Sequence, residues 1–172
     1  TTLFRSLFES GADINLSSPG GDCALYFALD HAREAPDREP MLHFLLEKGV
    51  KIPSDLFSKL KEYGFPAHLT KICEDTQIAR ERDLIRAINK KDLELTKKYL
   101  AFVDANKFLM REDHHPLYLA AKTGWVEGLE LFLAAGAELD TKVELDPLEE
   151  DICETAFQVA VQSGHIDAAE LL

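Results

Sequence analysis

The chain repeats itself, and that recurrence limits what it can fold into more than any other property of its sequence. The clearest unit is His115-Pro116-Leu117-Tyr118-Leu119-Ala120-Ala121-Lys122-Thr123-Gly124, then residues 125–133, then Ala134-Ala135-Gly136-Ala137. It reads as a short helix, a glycine stop, a second amphipathic helix and a second glycine stop. Ala120 and Ala121 are small enough to let the first helix lie close to a neighbour. Leu129, Phe132 and Leu133 fall on one stripe of the second. The pattern returns at regular distances. Ala87 stands 33 residues before Ala120, with residues 92–100 in the place of the second helix. Ala160 stands 40 residues after Ala120, inside a stretch, 155–165, that repeats the first helix and its stop. The 7 additional residues fall in the connecting loop. Gly11, which opens Gly11-Ala12-Asp13-Ile14-Asn15, precedes Ala28 by 17 residues, the interval that also separates Val103 from Ala120.

These residues resemble the ankyrin repeat, a unit of about 33 residues made of a turn and two antiparallel helices with a T-P-L-H-x-A signature. In the signature's place stand Cys23-Ala24-Leu25-Tyr26-Phe27-Ala28, Arg82-Asp83-Leu84-Ile85-Arg86-Ala87, His115-Pro116-Leu117-Tyr118-Leu119-Ala120 and Thr155-Ala156-Phe157-Gln158-Val159-Ala160. The Gly-His stop is complete at Gly164-His165 and altered to Gly124-Trp125 and Lys91-Asp92. The Gly-Ala-Asp-x-Asn ending is intact at residues 11–15 and partial at Gly136-Ala137-Glu138. The middle is degenerate. Residues 53–63 and 65–74 are expected as a helix pair with a shortened leading loop, and the unit around Ala28 carries an insertion at residues 35–40.

The resemblance implies an all-α fold, an ankyrin-repeat solenoid of stacked helix-turn-helix units, as a single domain over residues 1–172. The units fall near 1–18 (partial), 19–52, 53–77 (degenerate), 78–109, 110–142 and 143–172 (partial). Residues 2–10 read as a second helix without its first, and residues 168–172 stop inside one. A repeat cannot bury its apolar face alone, so the chain is expected to be a piece of a longer array or a larger protein.

Charge narrows the partners. The 172 residues carry 19 Lys+Arg against 31 Asp+Glu, a net charge of -12. Nucleic acid and anionic membrane are bound through basic surface, so neither is expected as a partner. The acidity is local. Residues 138–154 hold eight acids (Glu138, Asp140, Glu144, Asp146, Glu149, Glu150, Asp151, Glu154) against Lys142 alone, a net of -7. Asp167 and Glu170 account for another -2, which leaves -3 for residues 1–137. Two readings of the acidic loop stand: a solvated insertion, or a finger presented to a basic partner. At 46% hydrophobic the chain can bury a core, and no run approaches the roughly 18 apolar residues of a membrane span. No signal peptide is visible at residues 1–5. Cysteines at 23, 73 and 153 form neither a disulfide framework nor a C-x-x-C site and suit a reducing, cytoplasmic setting.

Chemistry finds little support. Ser18-Pro19-Gly20-Gly21-Asp22 lacks the Lys-Ser/Thr of a phosphate loop and reads as a turn. His114-His115 beside Glu112 and Asp113 has no helical or C-x-x-C partner for a metal, although a partly buried pair would sense pH. Cys73 and His68, five apart, fall on different helix faces, and acidic neighbours of Cys23 and Cys153 disfavour thiolates. No G-x-S-x-G elbow or Asp-x-Asp-x-Asp-Gly calcium loop occurs. No cofactor, metal or catalytic residue is expected.

The resemblance implies instead a protein–protein interaction module, a scaffold or adaptor that binds another protein through the concave face of its stack. Register carries onto that face Asp22, Asp30 and His31; Glu81, Arg86, Asn89 and Lys90; Arg111, Glu112, His114, Lys122 and Thr123; and Asp151, Glu154, Gln162 and Ser163, while Glu149 and Glu150 join the candidates as part of the acidic loop. Trp125, the only tryptophan, is either packing against the adjacent repeat or an exposed anchor. Lys90-Lys91 and Lys97-Lys98 form a small basic cluster, either a solvated outer face or a contact for an acidic partner. A monomer is expected. The other reading is a targeting or regulatory ankyrin segment of a larger enzyme, such as a pathogen effector delivered into a host cell, with its catalytic domain outside this chain.

Overall fold

The computed structural model describes residues 6, 8–18, 23–34, 39–53, 55–106, 108, 115–144 and 153–172. The chain is mostly helical, with a single two-stranded ribbon among the described residues. It divides into two compact units, Thr1–Thr76 and Gln77–Leu172, each with its own core.

In the first unit, α1 (Ala24–Glu34) packs against α2 (Glu39–Glu47), followed by α3 (Leu56–Glu62) and the start of α4 (Ala67–Asn89). Leu25, Ala28, Leu29 and Ala32 recur at helical spacing on α1 and are buried with Leu42, Leu45 and Leu46 of α2. Leu56, Leu60, Leu69 and Cys73 complete this core. Each fully buried leucine contributes about 1.5–3 kcal/mol by leaving water. Helix α2 ends where Gly49 turns to φ 82° and Val50 N donates to Leu45 O (3.1 Å). A turn further upstream is tied to that stop. Asp13 Oδ1 accepts from Asn15 N (2.8 Å), and Asn15 Oδ1 accepts from Lys51 N (2.7 Å).

The helix pair expected over residues 53–63 and 65–74 is only half right. The first member is present as α3, but the second does not stop near residue 74; α4 continues unbroken for 23 residues to Asn89. The reason is local: residues 67–89 hold neither glycine nor proline, so nothing ends the helix. The expected boundary between units at 77/78 therefore falls inside one helix. Leu69 and Cys73 of α4 belong to the first core, Leu84 and Ile88 to the second.

The second unit contains α5 (Leu93–Leu100), α6 (Pro116–Lys122), α7 (Val126–Ala134), the strands β1 (Val143–Glu144) and β2 (Cys153–Glu154), α8 (Ala156–Gln162) and α9 (Ile166–Leu171). Helix α6 packs on both α7 and α8, α9 on α7 and α8, and α5 on α7. Ala87, Ala120 and Ala160 share a register and are all buried. Each precedes the same helix stop. Asp92 N donates to Ala87 O (3.0 Å), Trp125 N to Ala120 O (2.9 Å) and His165 N to Ala160 O (2.9 Å). The residue before each donor adopts positive φ: Lys91 at 54°, Gly124 at 61°, Gly164 at 74°. This six-to-one closure satisfies carbonyls that the helix end would otherwise leave bare.

Successive turns are bonded across the repeat. Asp104 Oδ1 accepts from Asn106 N (3.0 Å), Asn106 Nδ2 donates to Gly136 O (2.9 Å), and Asn106 Oδ1 accepts from Glu138 N (2.9 Å). Asp104-Ala105-Asn106 thus does in the second unit what Asp13-Ile14-Asn15 does in the first. The helix stops are linked likewise: Lys91 Nζ donates to Thr123 O (2.9 Å), and the His165 ring meets Lys122 O (3.2 Å).

Candidate interaction surface

The polar residues that follow the buried alanines define the candidate surface of the second unit. Asn89 ends α4 with Lys90 just beyond it, Lys122 ends α6 with Thr123 as its C-cap, and Gln162 ends α8. Asn89, Lys122 and Gln162 occupy the same position of three successive units and are all exposed. Arg86 lies one turn before Lys90, is exposed, and pairs with Asp83 (3.1 Å). An exposed i,i+3 pair of this kind leaves the guanidinium available to a competing acid, since such pairs contribute no more than about 1 kcal/mol. Thr123 is half-buried, and its hydroxyl donates locally to Leu119 O (3.0 Å) and Ala120 O (3.1 Å).

The described ends of the acidic loop form a ribbon. Val143 pairs with Glu154 and Glu144 with Cys153 in an antiparallel ribbon, and the Val143 side chain is buried in the second core. Tyr118, buried in α6, donates its hydroxyl to Glu154 Oε2 (3.1 Å). The Lys122 ammonium lies 5.8 Å from the Tyr118 ring centroid. Tyr118 therefore has a cation over its ring and a carboxylate at its hydroxyl.

Two expected surface residues are corrected. Glu81 is 0% exposed and accepts from Gln77 Nε2 (2.9 Å), so it is an internal polar contact of α4 and not a partner-facing side chain. Its neighbours Leu84, Ile85 and Ile88 turn that face of the helix inward. Trp125 is 4% exposed, and its ring covers the bare Cα of Gly128, so it packs the core and is no exposed anchor. Asp22, Arg111, Glu112, His114, Glu149, Glu150 and Asp151 lie outside the described residues. Arg82, exposed one turn before Arg86, was not singled out from the sequence; the 3.6-residue period places it beside Arg86.

His115, at the start of α6, is buried, and its Nε2 has no hydrogen-bond partner among the described residues. Burial lowers its pKa below the ordinary 6.5, and the Glu138 carboxylate partly opposes that shift. His68 engages Glu39 (2.8 Å) rather than Cys73, and Cys73 is fully buried. The described residues contain no group of three His, Cys, Asp or Glu arranged to hold a metal ion. No described helix is long and apolar enough to cross a membrane.

No protein-family model matches the chain, and no curated protein matches it.

Proposed function

We propose that the chain is a divergent ankyrin-repeat module that recognises another protein, using the exposed ends of the first helices in its second unit. The observation that carries this reading is the register of Asn89, Lys122 and Gln162, each two residues after a buried alanine, two before a helix stop, and exposed. The recurring Asp-x-Asn bonds between turns and the buried alanines at intervals of 33 and 40 residues support the repeat assignment. Arg86, Lys90 and Lys122 give the surface a basic side, and the ribbon with Glu154 gives it an acidic one. Such mixed polarity suits a wet, exchangeable interface with an oppositely patterned partner. In this reading the chain contributes recognition and carries no catalytic group.

The double variant Arg86→Glu/Lys122→Glu tests it. Wild type and variant are used side by side to capture proteins from a cell extract, with melting curves recorded for both. A defined set of proteins retained by the wild type and lost with the variant, at unchanged melting temperature, is the expected result. An identical captured set would remove these side chains from recognition. A lower melting temperature would make them part of the scaffold.

A further inference from the structure

We propose that the row Arg82, Arg86 and Lys90 along α4 is the docking site for an extended acidic segment of another protein, with carboxylates at alternate positions. The proposal rests on the reading of the second-unit surface as a recognition surface and names the chemistry that surface takes.

The charge balance singles out this row. Residues 80–98 carry seven Lys and Arg against four acids, a net of +3 in a chain whose total is -12. Each of the four acids is already engaged within the chain. Glu81 is buried and accepts from Gln77 Nε2 (2.9 Å). Asp92 caps α5 by accepting from Leu95 N (3.0 Å). Glu94 pairs with Lys97 (3.4 Å), and Asp83 with Arg86 (3.1 Å). Three of the cations are engaged as well: Arg80 lies 5.6 Å from the Phe102 ring centroid, Lys98 lies 5.7 Å from that of Tyr99, and Lys91 donates to Thr123 O. Arg82 and Lys90 are exposed and meet no carboxylate among the described residues. They flank Arg86, whose own ion pair is exposed on both sides.

Spacing selects the partner. Lys90 N donates to Arg86 O (3.2 Å), so helical geometry runs through the whole row. Residues four apart rise about 6 Å along a helix. Alternate side chains of an extended peptide lie on one side of it, about 6.6 Å apart. Three carboxylates at positions i, i+2 and i+4 therefore meet the three cations in turn. A guanidinium takes a carboxylate through two parallel N–H donors, which suits Arg82 and Arg86 to the first two. Exchange of Asp83 for the partner's acid at Arg86 costs little, because exposed pairs contribute little. A nucleic-acid strand also carries regularly spaced anions, but this surface does not fit one. Single strands stack their bases on exposed rings, and the exposed rings among the described residues, Phe27, Tyr63 and Phe157, all lie off α4. A long polyanion is repelled by a chain of net charge -12, whereas a short acidic segment meets only the basic stretch.

The test is an amide-resolved NMR titration of the whole chain at low salt with three peptides: acetyl-Glu-Ser-Glu-Ser-Glu-amide, the reordered acetyl-Ser-Glu-Glu-Glu-Ser-amide and the neutral acetyl-Gln-Ser-Gln-Ser-Gln-amide. Saturable shifts centred on residues 82–90 are expected for the alternating peptide, with about threefold weaker binding of the reordered one and none of the neutral one. Arg82→Gln and Lys90→Gln should each weaken the alternating peptide about threefold, and Asp83→Asn, which frees Arg86, should tighten it about twofold. Lys71→Gln and Glu62→Gln make the same changes of charge in the first unit and should leave binding unaltered. Absence of saturable shifts at residues 82–90, equal binding of the two acidic peptides, or an equal effect of the first-unit variants would overturn the proposal. Tighter binding of hexauridylate than of the alternating peptide would also overturn it, as would a dimer in analytical ultracentrifugation that Arg82→Gln abolishes, since the row would then serve a second copy of the chain. If Arg86→Glu/Lys122→Glu loses its captured proteins while no peptide shifts the row, recognition by this surface stands and the acidic segment falls.

Discussion

Replacing Gly128 with alanine should destabilise the second unit, although the same change in most helices does the opposite. Alanine is favoured over glycine in a helix by about 1 kcal/mol. Here a Cβ on Gly128 would fall on the six-membered ring of Trp125, 2.7 Å from Cζ3 and nearer still to Cε3 and Cδ2. Carbon atoms prefer separations of about 3.5–4.0 Å. The ring cannot swing aside, because Trp125 is buried in the second core and caps the start of α7. Forcing a methyl group into a site with contacts this short costs about 2–3 kcal/mol, the upper part of the usual range, and what remains after the propensity gain is a net loss of about 1–2 kcal/mol. A double-mutant cycle isolates the cause. Trp125→Leu alone should cost several kcal/mol as a large-to-small core change. In that background Gly128→Ala should become neutral or stabilising, giving a coupling of about 2 kcal/mol. Urea unfolding followed by far-ultraviolet circular dichroism measures all four proteins, including those without the only tryptophan. A neutral or stabilising Gly128→Ala in the wild-type background, or an equal cost in both backgrounds, would refute the packing account of Trp125 and reopen it as an exposed anchor.

The turn bonds and the buried histidine give two further tests. Asn106→Ala removes two side-chain bonds between successive turns and should lower stability by about 2 kcal/mol, at about 1 kcal/mol each; Asn106→Asp, which keeps one acceptor, should recover part of it in the same urea assay. A loss in Asn106→Ala below about 0.5 kcal/mol would mean that these bonds do not hold the turns together. His115 has a folded pKa below 6.5, so the unfolded chain binds the proton first as pH falls. Its contribution to stability is complete above the unfolded value and is lost as pH drops through the folded one. The urea midpoint should therefore decline below about pH 6.5, and His115→Gln should flatten that decline; an unchanged slope in the variant would assign the pH dependence to other groups.

Much of the local architecture is legible in the residues. The helix stops could be read because positive φ favours glycine, and Gly124, Gly136 and Gly164 stand at or beside the stops expected of them. Lys91 shows how the register, once found, locates a stop where the residue type does not: it adopts φ 54° at the place of Gly124. The buried alanines were legible for the same reason, since close helix approach tolerates only small side chains. Asp104-x-Asn106 carries a weaker sequence signal, because no glycine precedes it as Gly11 precedes Asp13. The candidate surface was legible only where exposure follows from register, as at Asn89, Lys122 and Gln162.

By itself, then, the sequence determined the period, the helix stops and the small-residue faces, all of which depend on backbone conformation and near neighbours. Tertiary structure decided the rest. Glu81 is internal because an unbroken α4 carries it between apolar residues, and Trp125 is internal because Gly128 leaves room for its ring. The described ends of the acidic loop are tied down because Tyr118, 36 residues before Glu154, holds one and Val143 enters the core. Whether a charged or aromatic side chain meets water or protein depends on atoms tens of residues away, and no local periodicity records that.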